Sequence, residues 1–243
     1  MRTALISDIH GNLEALTAVL EDIDNQDVDK IHSLGDVVGY GADPKACLDL
    51  VIDRCDARLM GNHEYTVLGL QSMDYYNEAA KTAITWTRSR LLEEDLSAIA
   101  DFKIDFAADD YYLVHSSPYQ PERWHYIFTE EEARLAFQHL KGSICFYGHS
   151  HVPTVISGGD GTKIRLRAGH TFEPDLEECR YLVNVGSVGQ PRDRDPRACY
   201  AIFDDEQSLV TLRRVEYDIA AAQEKMSAAT LPEILVSRLA AGV

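Results

Sequence analysis

Five times in the first 151 residues a short apolar run stops at a cluster of acids, imidazoles or amides. The clusters are Asp8-Ile-His10, Gly35-Asp36, Gly61-Asn62-His63-Glu64, His115 and Gly148-His149-Ser150-His151. A carboxylate or imidazole at the end of a buried segment costs free energy unless something binds it. The runs that lead into the clusters, 2–7, 30–34, 57–60, 111–115 and 143–148, read as short buried strands.

Helical spacing alternates with these runs in the first half. Leu13, Leu16, Leu20 and Ile23 mark one face of a helix that Asn12 caps. Pro44 suits the first turn of a helix over 43–53, and Ala80, Ala83, Ile84, Thr87 and Leu91 mark another over 78–92. Strand–helix alternation implies right-handed crossovers and parallel pairing. In open α/β sheets the site lies at the carboxyl ends of the strands, so the five clusters are expected to converge.

The second half is richer in strands, with 102–106, 153–157, 163–168, 181–185, 199–204 and 209–217 read as such. A hairpin turn is expected over 158–162, and closing helices over 218–228 and 231–241. With no repeat and no low-complexity linker, residues 1–243 are expected to form one domain. The expected fold is α/β, two mixed sheets flanked by helices in a four-layer α/β/β/α sandwich.

Pooled, the clusters offer the carboxylates of Asp8 and Asp36, the amide of Asn62 and the imidazoles of His10, His63, His115, His149 and His151. That set suits borderline metals such as manganese, iron or zinc rather than an all-oxygen calcium site. Two metals about 3.5–4 Å apart are a known solution for phosphate chemistry.

The net charge of −17, from 40 acids against 23 bases, repels polyanions and anionic lipid. Long nucleic acid and membrane are therefore not expected partners, whereas a small phosphate ester in a pocket is. No run of membrane-spanning length and no signal peptide is recognisable. Five scattered cysteines without a C-x-x-C pair fit a reduced, cytoplasmic chain.

The blocks "SDIHGN", "GDVVGYG", "GNHE", a lone His after a strand and "GHSHVP" resemble, in order, the signature blocks of calcineurin-like metallophosphoesterases. The later block "NVGSVGQPRDRDPRACYAIFD" (184–204) resembles small bacterial phosphodiesterase-like members. The resemblance implies two divalent ions, manganese, iron or zinc, with nickel and cobalt as further candidates. One would take Asp8, His10, Asp36 and His151. The other would share Asp36 and take Asn62, His115 and His149. A hydroxide bridging the two ions would attack phosphorus, and His63 would protonate the leaving group as the catalytic acid.

Phosphoprotein phosphatases of that superfamily carry "GDxVDRG", where this chain has Gly39 and Tyr40 in place of the Asp and Arg. That departure favours small phosphodiesters or phosphomonoesters over phosphoproteins. "SDIHGN" also resembles diadenosine polyphosphate hydrolases. An inactive scaffold on the same fold is the alternative from another class, although all seven ligand positions and His63 are present. Arg192 and Arg194, in a Gly- and Pro-rich loop, are candidate substrate-binding residues; the same loop also reads as a solvated one paired with Asp193 and Asp195. Oligomeric state leaves no trace in the sequence.

Overall fold

The structure is a computed structural model that describes residues 1–108, 110–158, 164–167 and 170–243. One sheet is built from β1 (Arg2–Ile6), β2 (Lys30–Ser33), β3 (Ala57–Arg58), β9 (Thr171–Phe172), β11 (Ala198–Asp204) and β12 (Leu209–Val215). The other holds β4 (Asp105–Ala107), β5 (Tyr112–Val114), β6 (Ile144–Tyr147), β7 (Thr154–Gly158), β8 (Arg165–Arg167) and β10 (Arg180–Asn184). The strand orders are β3-β2-β1-β11-β12-β9 and β4-β5-β6-β10-β7-β8. β1–β3 pair in parallel, as do β5, β6 and β10, and antiparallel strands complete each sheet. Both sheets are mixed.

Alternation along the strands assigns each side chain to a layer. In β1, Leu5 packs between the two sheets with Phe146, Val183 and Phe203. Its neighbours Ala4 and Ile6 turn the other way, toward Leu16, Val19 and Leu48. Those residues come from α1 (Leu13–Asp24) and α2 (Pro44–Arg54). In β6, Ile144 and Phe146 face the inter-sheet core, whereas Cys145 and Tyr147 face Ala133, Ala136 and Phe137 of α6 (Glu130–His139). The layers thus run helix, sheet, sheet, helix. A further apolar cluster joins α4 (Glu78–Arg90) to the closing helices α7 (Ile219–Ala228) and α8 (Glu233–Ala241).

Asn12 caps α1 by accepting the Ala15 N–H at 3.1 Å. Several elements differ from expectation, among them the short α3 (Asn62–Val67) and β9, neither of which is expected from the sequence. α5 (Glu93–Ala100) and α6 are not expected from the sequence, because their buried faces are short: Asp95, Leu96 and Ile99 in α5, and Ala133, Ala136 and Phe137 in α6. The strand expected over 102–106 begins only at Asp105. The turn expected over 158–162 lies, from 159 on, outside the described residues, as do residues 163 and 168 of the strand expected over 163–168. The described cysteines form no disulfide, and among the described residues no helix is long and apolar enough to cross a membrane.

Candidate metal centre

β1, β2, β3, β5 and β6 deliver the five polar clusters to one edge of the sandwich. Asp8, His10, Asp36, His149 and His151 adopt left-handed backbone there, with φ between 51° and 66°. That conformation is unfavourable for residues with a Cβ, and such strain concentrates at functional sites. Long-range hydrogen bonds hold it in place: Asp8 N–H to Gly35 O at 3.0 Å, His10 N–H to Asp36 O at 2.9 Å and Gly189 N–H to Asp8 O at 2.9 Å.

All seven expected ligands and His63 are buried, none more than 7% exposed. Three imidazoles are locked by carbonyls, which can only accept. Nδ1 of His10 donates to Val38 O at 3.2 Å, Nδ1 of His115 to Leu34 O at 2.9 Å and Nδ1 of His151 to Gln190 O at 2.7 Å. In the neutral rings Nε2 is therefore a lone pair aimed inward, the arrangement that orients metal-bound histidines elsewhere. Nε2 of His10 and Nε2 of His151 face each other at 3.2 Å. Two facing lone pairs need a cation or a proton between them.

Asp8, His10 and His151 can place one donor atom each within 4.8 Å of one another, and so can Asp36, His115 and His149. Asp36 Oδ2 lies between the groups, 3.7 Å from His10 Nε2 and 3.3 Å from His115 Nε2. Asn62 Oδ1, His115 Nε2 and His149 Nε2 are buried without a well-formed hydrogen bond. Each such atom costs on the order of 1–3 kcal/mol if left unmatched. Hard and borderline donors, converging and unsatisfied, fit divalent cations.

Burial and mutual charge shift these groups in both directions. Burial pushes the Asp8 carboxyl up to about 7. Asp36 lies well below the usual carboxylate range: burial opposes its charge, but His115 and His63 outweigh it. His115 rises to about 9, because Asp36 and Asp8 overcome the effect of burial. Burial and neighbouring cationic groups hold His149 down at about 3 and His63 at about 4. The remaining rings are thus kept as neutral donors.

Glu64 supports this framework. Its carboxylate accepts the N–H groups of Asp36 and Gly61 at 2.8 Å and of Val38 at 3.0 Å. His63 can place a ring nitrogen within 4.8 Å of donor atoms of His10 and Asp36, and its backbone N–H donates to Asp36 Oδ1 at 2.9 Å. Its Nδ1 is buried without a partner against Gly39. Gly39 has φ 94°, and a Cβ there would collide with that nitrogen, so the His63 ring occupies space that only glycine leaves.

A cavity of about 810 Å³ opens onto the cluster, lined in part by Asn62, His149, Tyr40, Tyr126, Arg192 and Arg238. Tyr126 stacks on the His149 ring at 4.1 Å. Arg192 reaches the cavity and donates to Gln190 Oε1 at 2.8 Å. Arg194 does not line it. That residue is exposed, with φ 70° and its N–H held by Gly242 O at 2.8 Å, which turns the side chain outward. Asp195 pairs with Arg197 at 2.7 Å, and Asp193 pairs with Arg214. The anticipated solvated loop is therefore real around Arg197, but not at Arg192.

Sequence reasoning missed Tyr76, Gln190 and Arg238. Arg238 follows Leu235 and precedes Leu239 on the inward face of a helix, a position where an arginine is itself a signal. Tyr76 and Gln190 carry no comparable mark.

The calcineurin-like phosphoesterase superfamily domain matches residues 1–208. The chain is 41% identical over 243 residues to an uncharacterized protein of Methanocaldococcus jannaschii, covering 98% of this chain and 97% of that one. It is similar to the crystal structure of a metallophosphoesterase from Sphaerobacter thermophilus, at 42% identity and TM-score 0.87, covering 100% and 99% of the two chains. A hypothetical protein from Pyrococcus horikoshii shares the fold, with TM-score 0.79 at 18% identity over 100% and 98%.

Proposed function

The chain belongs to the calcineurin-like phosphoesterase superfamily, metal-dependent hydrolases of phosphoric esters, and on that premise we propose that it hydrolyses small phosphodiesters at a centre of two divalent cations sharing Asp36. The observation that carries this reading is the place of Asp36 Oδ2, between one group of inward donors at 3.7 Å and another at 3.3 Å. Asp8, His10 and His151 would hold one cation, and Asn62, His115 and His149 the other. When bound, such ions supply an acidified water and offset the negative charge of phosphate.

The remaining work falls to the chain itself. Backbone carbonyls fix the tautomers of His10, His115 and His151, so the donors are preorganised. Glu64 holds the backbone turns that carry Asp36 and Asn62. His63, beside Asn62 and Asp36, would give a proton to the departing alkoxide. Arg192, at the cavity wall, offers a planar fork that suits phosphate oxygens. Absence of the phosphatase Asp and Arg at Gly39 and Tyr40 favours a diester. The acidic surface favours a small substrate over long nucleic acid. Unpaired cysteines support action in the cytoplasm.

The test compares bis-p-nitrophenyl phosphate with p-nitrophenyl phosphate after chelation and reloading with manganese, iron, zinc, nickel or cobalt. Expected are about two metals per chain, faster diester cleavage, and loss of at least one metal and most activity in Asp36→Asn. Full activity in the chelated protein would overturn the reading.

A further inference from the structure

Arg192 and Arg238 reach the cavity from separate segments, the loop after β10 and the closing helix α8. Gln190 Oε1 accepts from both, at 2.8 Å from Arg192 and 3.4 Å from Arg238. The Nε atoms of both are buried without a partner. Among the described residues neither guanidinium pairs with a carboxylate; of the other partly buried arginines, Arg2, Arg54, Arg213 and Arg214 pair with acids, and Arg58 and Arg180 give N–H groups to backbone carbonyls instead. In a chain of 40 acids and 23 bases, two adjacent guanidiniums left without a counter-ion stand out.

Their place is next to the metal donors. Arg192 lies over the Tyr40 ring at 5.8 Å, and Tyr40 packs on His10 at 4.4 Å. Gln190 ties the two sites rigidly, because its backbone oxygen holds His151 while its side chain holds the arginines. A simple phosphodiester carries one negative charge, which divalent cations would already offset. Two more positive groups are unneeded unless the substrate brings further charge, and holding them together without an anion is unfavourable.

We propose that Arg192 and Arg238 form a subsite for a second anionic group of the substrate, a phosphate joined to the one under attack. This rests on the phosphoesterase reading and narrows its substrate class to esters that contain a diphosphate. The lowered pKa of Arg238, from burial and the neighbouring Arg192 charge, is consistent with a pair awaiting an anion.

ADP and AMP, which differ by that one phosphate, test it by calorimetry on the metal-loaded protein and by inhibition of bis-p-nitrophenyl phosphate hydrolysis. ADP is expected to bind about tenfold tighter or better, the scale of one charge-assisted contact. Arg238→Ala and Arg238→Gln, both checked for folding by circular dichroism, are expected to remove most of that ratio. Equal binding of ADP and AMP by the unmodified protein overturns the proposal, as does a ratio that neither variant changes. Calorimetry reads the ratio even if no ester is hydrolysed, so failure of the phosphoesterase reading and failure of the subsite are separate results.

Discussion

The side-chain amide of Asn62 donates to the hydroxyl of Tyr76 at 2.8 Å, and this leaves Asn62 Oδ1 buried and unpartnered beside the cavity that His149 also lines. An amide can flip with little change in shape. Tyr76 decides which end faces the site, because its own hydroxyl is engaged with Thr66 Oγ1 at 2.9 Å and with Asn62 O at 3.1 Å. A residue fourteen positions away thus selects the oxygen as the inward atom.

On the two-cation reading, Tyr76→Phe should weaken one metal by about 10–100-fold, the usual cost of losing an outer hydrogen bond to a ligand. The other metal should bind as before. Manganese titration followed by calorimetry checks this; two unchanged affinities would remove Tyr76 from the site.

His63→Ala should keep both metals, while turnover of alkyl esters drops by about 10²–10⁴-fold, the share of general acid catalysis. Nitrophenyl esters should suffer less, since nitrophenolate needs little protonation. Elemental analysis together with kinetics on both ester types decides, and an equal loss on the two would argue against proton donation by His63.

Arg192→Ala should raise KM about tenfold with kcat nearly intact, the mark of lost uniform binding. Arg194→Ala should leave both constants alone, because that side chain is turned away from the cavity. Steady-state kinetics on one ester that contains a diphosphate measures the pair side by side. Equal effects would show that the loop rearranges around substrate.

Far from the centre, Asp22 on α1 accepts from Arg213 at 2.7 and 2.8 Å and from Tyr200 at 2.6 Å, joining helix to sheet. The Arg213 hydrogen bonds hold its carboxyl below the ordinary 3.8 despite partial burial. A depressed carboxyl stabilises the fold above its unfolded pKa, and the contribution fades as pH falls through the folded value. Asp22→Asn should cost roughly 1 kcal/mol at pH 7, discounted for exposure. Urea denaturation at several pH values should show the gap between the two proteins closing below pH 3.8, the ordinary carboxyl value.

Much of the molecule was legible from local pattern. The strand-end clusters could be named because a buried strand advertises itself by an apolar run, and because an acid or imidazole at its end is a local anomaly. The two-sheet sandwich follows from the same runs. Helices over 93–100 and 130–139 escaped because their apolar faces are short, only Leu96 and Ile99 in one, and in the other two alanines, which mark a buried face weakly, beside Phe137. Their acidic first turns, and the Thr129–Glu132 pair whose side chains cap each other's backbone, were the signals present.

Where irregular backbone decides, the sequence alone was silent. Arg192 and Arg194 are two residues apart in one loop, with the same side chain. Only the hydrogen bond from Arg194 N–H to Gly242 O and its left-handed φ send one outward while the other enters the cavity. Tyr76, Gln190 and Arg238 likewise meet the centre through contacts 14 to 48 residues apart in the chain. Strand and helix directions repeat with a period that a sequence displays. The aim of a loop side chain depends on which distant carbonyl or amide completes its hydrogen bonds, and only the packed chain brings those groups together.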